Sequence, residues 1–275
     1  MLFIEFEDGQ GLGNKLWNYA ALRSLSKKLN YGYKVLNFDK FKGLDFLEIK
    51  EFSNKKFKKF EKQKLNIFNE MIYYDNQLKT FSSDFDQLIL KVKPNTLLKG
   101  LFQSEKYFFN CDINNFIKVK ENKTIFLKNI CLLNIRGGEY KRFKNLILPK
   151  MYWKNAIKNM KSINKSLIFK IITDDYIYAE KLFPEYEILK GNIEHDFIQI
   201  HNAEYLIVSN SSFSYFPISL GNNPKFIIAP AFWSRFGNKF NRWCSPANHY
   251  DNWQYQDNEG RILSERLIKN YIFHC

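Results

Sequence analysis

One stretch limits the possible folds more than any other: Cys131-Leu132-Leu133-Asn134-Ile135-Arg136-Gly137-Gly138-Glu139-Tyr140. A short apolar run that ends in an asparagine, an arginine, two glycines and an acid reads as a buried strand delivering polar groups to the carboxyl end of a sheet. That end is where open α/β sheets bind ligands. Arg136 offers five fixed donors to a phosphate, while Gly137 and Gly138 let backbone N–H groups approach the same anion. An ordinary strand-to-helix turn with a surface arginine has the same local pattern, so the stretch needs company to be informative.

The remainder of the second half supplies it. A helix around Lys150–Met160 precedes a strand Leu167–Ile172 that runs into Thr173-Asp174-Asp175, and a helix Tyr176–Phe183 stops at Pro184. A short strand Tyr186–Leu189, a helix His195–Asn202 and a strand Tyr205–Val208 lead into Ser209-Asn210-Ser211-Ser212-Phe213-Ser214. A helix to Gly221, a strand Phe226–Ile228 and a terminal helix Gly260–Tyr271 complete the pattern. Alternating strands and helices with short connections predict a parallel, doubly wound sheet. Polar clusters around Arg136, Asp174 and Ser211 each follow a strand, so they are expected to converge on one crevice. Asp174-Asp175 and Ser211-Ser212 also read as helix caps.

The first half opens with a strand Leu2–Phe6, a turn carrying Gly9, Gly11 and Gly13, and a helix through Leu16, Ala20, Leu22, Leu25 and Leu29. A glycine-rich turn between strand and helix places backbone N–H groups at an anion. The alternating glycines do not match the dinucleotide fingerprint, and a tight turn that merely needs glycine accounts for them equally well. Tyr33–Phe38 and Asn95–Phe102 read as further strands, Lys40–Lys93 as mostly helical or irregular, and Glu105–Phe116 as a helix. Charge density rises over Lys118–Lys128, which places a domain boundary between residues 1–128 and 129–275.

A net charge of +14 raises nucleic acid, an anionic membrane or an anionic substrate as partners. No RNA- or DNA-binding motif accompanies the charge, so a nucleic acid is not expected. The densest basic stretch, Lys50–Lys64, interleaves lysines with Phe52, Phe57 and Phe60, as a solvated amphipathic helix or a membrane-docking face would. Cys111, Cys131, Cys244 and Cys275 are scattered, without metal-knuckle spacing or a disulfide framework. No run of apolar residues is long enough to span a bilayer, and the first residues lack a signal-peptide pattern. A cytoplasmic protein, with peripheral contact to the anionic inner membrane face as the alternative, is the expectation.

Taken together, the motifs resemble those of the bacterial α-1,2-fucosyltransferases, glycosyltransferase family 11. Gly11-Leu12-Gly13-Asn14-Lys15-Leu16-Trp17-Asn18-Tyr19-Ala20 resembles that family's G-G-L-G-N-Q-M-F-Q-Y-A opening, and Asn134–Tyr140 a degenerate form of H-V-R-R-G-D-Y. Thr173-Asp174-Asp175 is similar to S-D-D, Asn210–Phe216 to N-S-S-F-S-W-W, and Ile227-Ile228-Ala229-Pro230 to the step that follows.

The resemblance implies an α/β, GT-B-like pair of Rossmann-type halves facing a central cleft, with an acceptor-side domain first and a nucleotide-sugar domain second. It implies an inverting transfer from a GDP-sugar to a glycan hydroxyl, in surface polysaccharide or lipooligosaccharide synthesis, with no cofactor and no metal. Arg136 would grip the donor phosphate, and Ser211, Ser212 and Phe213 would line the nucleotide site with Asn134, Asp174 and Asp175. Gly11, Gly13 and Asn14 would approach the pyrophosphate or the sugar. Glu139 is the first candidate for the general base and Asp8 the second. Three departures bear on the donor: the family's histidine is Asn134, its second arginine is Gly137 and its aspartate is Glu139. Fucose is the first expectation for the sugar, and a GDP-linked heptose or another deoxysugar the alternative; a homologue that binds a nucleotide or glycan without turnover is the rival reading.

Overall fold

The computed structural model describes residues 1–52, 65–75, 80–120, 127–221, 224–236, 248–264 and 268. Most of the Lys50–Lys64 face, along with Trp243, Cys244 and Cys275, lies outside them. The chain divides into two compact units, one within residues 1–122 and the other from 123 to the end.

In the first unit, β1 (Leu2–Glu5) leads through the glycine turn into α1 (Leu12–Lys28), and β2 (Tyr33–Leu36) follows. Next come β3 (Leu47–Glu48), β4 (Asn66–Asn69), the hairpin β5 (Ile72–Asp75) and β6 (Thr80–Ser83), β7 (Thr96–Lys99) and β8 (Lys118–Val119). The order β2-β1-β7-β4 makes a parallel sheet, and β1 is apolar because it is the buried inner strand. On α1, Leu16, Trp17, Ala20, Leu22 and Leu25 are all fully buried, each adding roughly 1.5–3 kcal/mol for the larger side chains.

Two expectations fail here. The stretch read as helical or irregular contains β4 and the β5–β6 hairpin. Ile67 on β4 is 58% exposed, so that strand carries no alternation of buried and exposed positions for a sequence reading to detect. The helix expected over Glu105–Phe116 is instead two 3-10 turns, Glu105–Phe108 and Ile113–Asn115, capped by Ser104 and Asp112. Phe109 and Asn110, at φ 48° and 62°, take the left-handed conformation that ends the first turn.

The second unit runs β9 (Leu127–Ile135), α2 (Lys150–Ile163), β10 (Ile168–Thr173), α3 (Tyr176–Leu182), β11 (Glu187–Ile188) and α4 (Ile193–His201). It continues through β12 (Ala203–Val208), α5 (Tyr215–Ser219), β13 (Phe226–Pro230), β14 (Gln254–Gln256) and β15 (Ile262–Leu263). The sheet order is β11-β10-β9-β12-β13-β14-β15, parallel throughout except for the edge strand β15. Numbered by appearance, that is 3-2-1-4-5-6 plus an antiparallel edge, the doubly wound order, and it reverses between β9 and β12. Leu132, Leu133, Ile171, Leu206 and Ile207 form the core with Trp153, Ala156 and Met160 of α2. The apolar runs that suggested buried strands are therefore the central strands.

The terminal helix expected over Gly260–Tyr271 does not begin at Gly260, and most of the rest of that stretch lies outside the described residues. Gly260 sits at φ 85° in a turn held by Asp257, whose Oδ1 accepts from Glu259 N and Arg261 N, and Ile262–Leu263 then pairs with β14. Among the described residues only Ile268 of that stretch is helical.

Candidate functional site

The reversal of strand order brings the carboxyl ends of β9 and β12 side by side, and the singled-out residues of the second unit gather there. Arg136 leaves β9 with Nη1 2.7 Å from Asp174 Oδ2, at the end of β10. The other oxygen of that carboxylate, Oδ1, accepts from Gly137 N at 2.8 Å. Asp174 thus fixes both the guanidinium and the first backbone N–H of the turn. Asp175 does the capping, accepting from Tyr178 N at 3.1 Å and pairing with Lys141. Burial works against its charge, but Lys141 and the Tyr178 N–H outweigh that and hold its carboxyl below the usual range. The two acids read from the sequence as either cap or ligand have divided the roles between them.

The glycines are required by this packing. A methyl on Gly137 would lie 2.7 Å from Asp175 Cβ and 2.9 Å from Tyr178 Cδ1, and one on Gly138 would strike Asp174 Oδ2. Gly137 is the position where the resembling family has a second arginine. In this chain α3 fills that space, so no larger side chain fits.

Tyr140 ties the two strand ends together: its Oη donates to Asn210 O at 2.9 Å, and its ring lies 5.5 Å from the Arg136 guanidinium. Burial pushes the Tyr140 hydroxyl up to about 12, with Arg136 pulling the other way, so it remains a donor across neutral pH. Arg136 itself is a third exposed, and its Nε is buried without a hydrogen-bond partner. A guanidinium with one arm satisfied and another N–H left open is incomplete as it stands.

Asn134 and the serine turn are linked as well. Ser214 Oγ donates to Asn134 Oδ1 at 2.7 Å, both residues being buried. Asn134, expected among the donor-binding groups, therefore spends its acceptor on holding the turn against β9. Ser211 Oγ accepts from Phe213 N at 3.3 Å, and Phe213 packs edge-on against Phe197 of α4 with centroids 6.2 Å apart. The helix after this turn is only 5 residues long, so the hydroxyls and N–H groups of the turn, not a helix dipole, are what it presents. Glu139 is exposed on the 3-10 turn Gly138–Arg142.

The other expected residues belong to the first unit. Gly9 has φ 73°, which favours glycine; Gly11 is extended, and a methyl there would meet nothing within 4 Å. Packing alone does not call for a glycine at position 11. Gly13 is buried in the first turn of α1. Asn14 Oδ1 accepts from Gln103 Nε2 at 2.7 Å, joining the start of α1 to the segment after β7, where this sheet also reverses order. Asp8, the second candidate base, is bound by Lys40 at 2.7 Å, which lowers its proton affinity.

The sequence reading missed Gln103 and Asp196. Asp196 lies in the first turn of α4, 3.2 Å from His195 Nδ1, and burial pushes it up to about 6, helped by Asp174. The triplet Glu194-His195-Asp196 was the available signal. Acids in a helix's first turn are so ordinary that it did not stand out.

No protein-family model matches the chain. The chain is similar to an alpha-1,2-colitosyltransferase from Escherichia coli, 27% identical over 263 residues that cover 81% of this chain and 89% of that protein. Two solved structures of NodZ alpha-1,6-fucosyltransferase, one soaked with GDP-fucose and one co-crystallized with GDP, give TM-scores of 0.43 and 0.42. Both are 13% identical and cover 80% of this chain and 92% of their own.

Proposed function

We propose that this chain, a divergent member of a fucosyltransferase-like family, is a GDP-sugar-dependent glycosyltransferase acting on a glycan hydroxyl. The observation that carries the reading is Arg136. It is a guanidinium at the switch point of a 3-2-1-4-5-6 sheet, beside a glycine N–H and a serine turn, with an N–H still unpartnered. The similarity to a colitosyltransferase supports transfer of a sugar, with fucose the first donor to try, colitose the second and a heptose the third.

In the proposed reaction the acceptor oxygen bonds to the anomeric carbon as that carbon's bond to the phosphate oxygen breaks, and the electron pair departs on GDP. Attack from the face opposite the phosphate inverts the anomeric centre. Arg136 neutralises the charge that builds on the leaving phosphate, which is the role a divalent ion fills in other transferases. Asp174 keeps the guanidinium aimed, and Ser211 and Ser212 offer hydroxyls to the same anion. Glu139, exposed and three residues beyond Arg136, takes the acceptor proton. Asp8 is the poorer base because Lys40 already satisfies it.

The test is a transfer and donor-hydrolysis assay with GDP-fucose, GDP-colitose and GDP-mannoheptose in the presence of EDTA. Turnover of one of them that is lost in Glu139→Gln and Arg136→Ala supports the reading. Turnover that requires added metal, or no GDP release from any donor, contradicts it.

A further inference from the structure

Beside the Arg136 crevice, at the carboxyl ends of β12 and β13, lies a second concavity that shares Ser211 with it and whose other polar groups the reading above does not use. Its floor is Ser209, Asn210 and Ser211, and its walls include Trp233, Tyr250 and Trp253. Ser209 and Asn210 are each 5% exposed, yet Ser209 Oγ and Asn210 Oδ1 have no hydrogen-bond partner, and neither has the buried Nε1 of Trp233. Asn210 is held in place by its amide, whose Nδ2 donates to Leu146 O at 3.0 Å and to Trp233 O at 2.5 Å. The carbonyl oxygen is therefore fixed by the same contacts that leave it unpaired.

Three orphaned polar atoms in one aromatic pocket are costly, since each buried group without a partner loses its hydration with no return. Their types are complementary: Trp233 Nε1 can only donate, Asn210 Oδ1 can only accept, and Ser209 Oγ can do either. A hydroxyl, which both donates and accepts, satisfies the set. Aromatic walls suit the C–H face of a pyranose ring. The free volume of the pocket is about 20 Å³, room for one hydroxyl and not for a ring, so one edge of a ring enters and not the whole ring.

We infer that this pocket is a sugar subsite: it takes a hydroxyl-bearing edge of the donor's hexose, held between Trp233 Nε1 and Asn210 Oδ1, and so selects which GDP-sugar is used. The inference rests on the GDP-sugar reading. It assigns the choice of sugar to Trp233 and Ser209, and leaves the grip on the nucleotide with Arg136.

Calorimetry on the full chain separates the two. GDP and GDP-fucose are titrated into the parent, into Trp233→Phe, which keeps the ring and removes the N–H, and into Ser209→Ala, which removes a hydroxyl with little change of volume. The expected result is an affinity for GDP-fucose 5- to 20-fold weaker in Trp233→Phe, roughly the loss of one hydrogen bond, with GDP affinity unchanged. Ser209→Ala, the less disruptive variant, should show the same selective loss. If both variants bind GDP-fucose like the parent, the pocket holds only water and the inference is overturned. An equal loss for GDP and GDP-fucose also overturns it, by making Trp233 part of the nucleotide site. If the parent binds no GDP, the donor reading itself fails, an outcome told apart from the others by the parent titration alone.

Discussion

At the scale of single residues, Arg136 and its neighbours make the strongest predictions. Arg136→Ala should reduce turnover by roughly 100-fold or more while the protein stays folded, as expected for loss of a preorganised charge aimed at a leaving group. Steady-state rates alongside a melting curve check both halves of that statement. Gly137→Ala should be costly in a different way. Its methyl would overlap Asp175 and Tyr178, so a lower melting temperature is expected, with a loss of about 1–3 kcal/mol in denaturant unfolding. Asp196 gives a pH prediction. Its folded value, about 6, lies above the 3.8 of an unperturbed aspartate, so the folded state binds the proton more tightly. Stability from this group is complete below about pH 4 and lost as pH rises to about 6, so Asp196→Asn should stabilise the protein at pH 8 by about 1–3 kcal/mol. The gain should vanish at pH 4 in urea unfolding. Arg136 was legible in the sequence because an arginine and two glycines close an apolar run. The division of labour between Asp174 and Asp175 was not, since both readings fit the same dipeptide and only the distances decide between them.

At the scale of elements, the central strands β9, β10, β12 and β13 were readable because a strand buried on both faces is apolar almost throughout. β4 was not, because a short strand without a buried face leaves no periodicity; β14, Gln254-Tyr255-Gln256, shows no apolar run, and β15 was lost because Ile262 and Leu263 also suit a helix. The serine turn illustrates what lies between. Its sequence signalled a cap or an anion site, but the hydrogen bond from Ser214 to Asn134 joins residues 80 apart in the chain and has no local signature. That bond holds the turn against β9, so Asn134→Ala, which strands a buried hydroxyl, should cost about 1–3 kcal/mol and weaken donor binding together. Asn134→Asp, which keeps the acceptor but buries a charge, is expected to be no better. Comparing the GDP affinity of each with its melting temperature distinguishes a positioning loss from simple unfolding: the Ala variant should bind GDP more weakly even well below its melting temperature.

At the scale of the whole molecule, each of the two units is built on a mostly parallel sheet that reverses its strand order, so each offers a crevice at its strand ends. The net charge of +14 is compatible with an anionic substrate, though it does not by itself choose one. Among the described residues no helix is long and apolar enough to cross a membrane. The central claim is that the crevice around Arg136 binds a guanosine diphosphate without a metal. The most direct measurement is calorimetric titration of the unmodified chain with GDP, UDP and CMP in EDTA. Binding of GDP with a dissociation constant in the micromolar range, at least tenfold tighter than UDP or CMP, is the result the account predicts. Binding of none of the three, equal binding of all three, or binding only after a divalent metal is restored would contradict it.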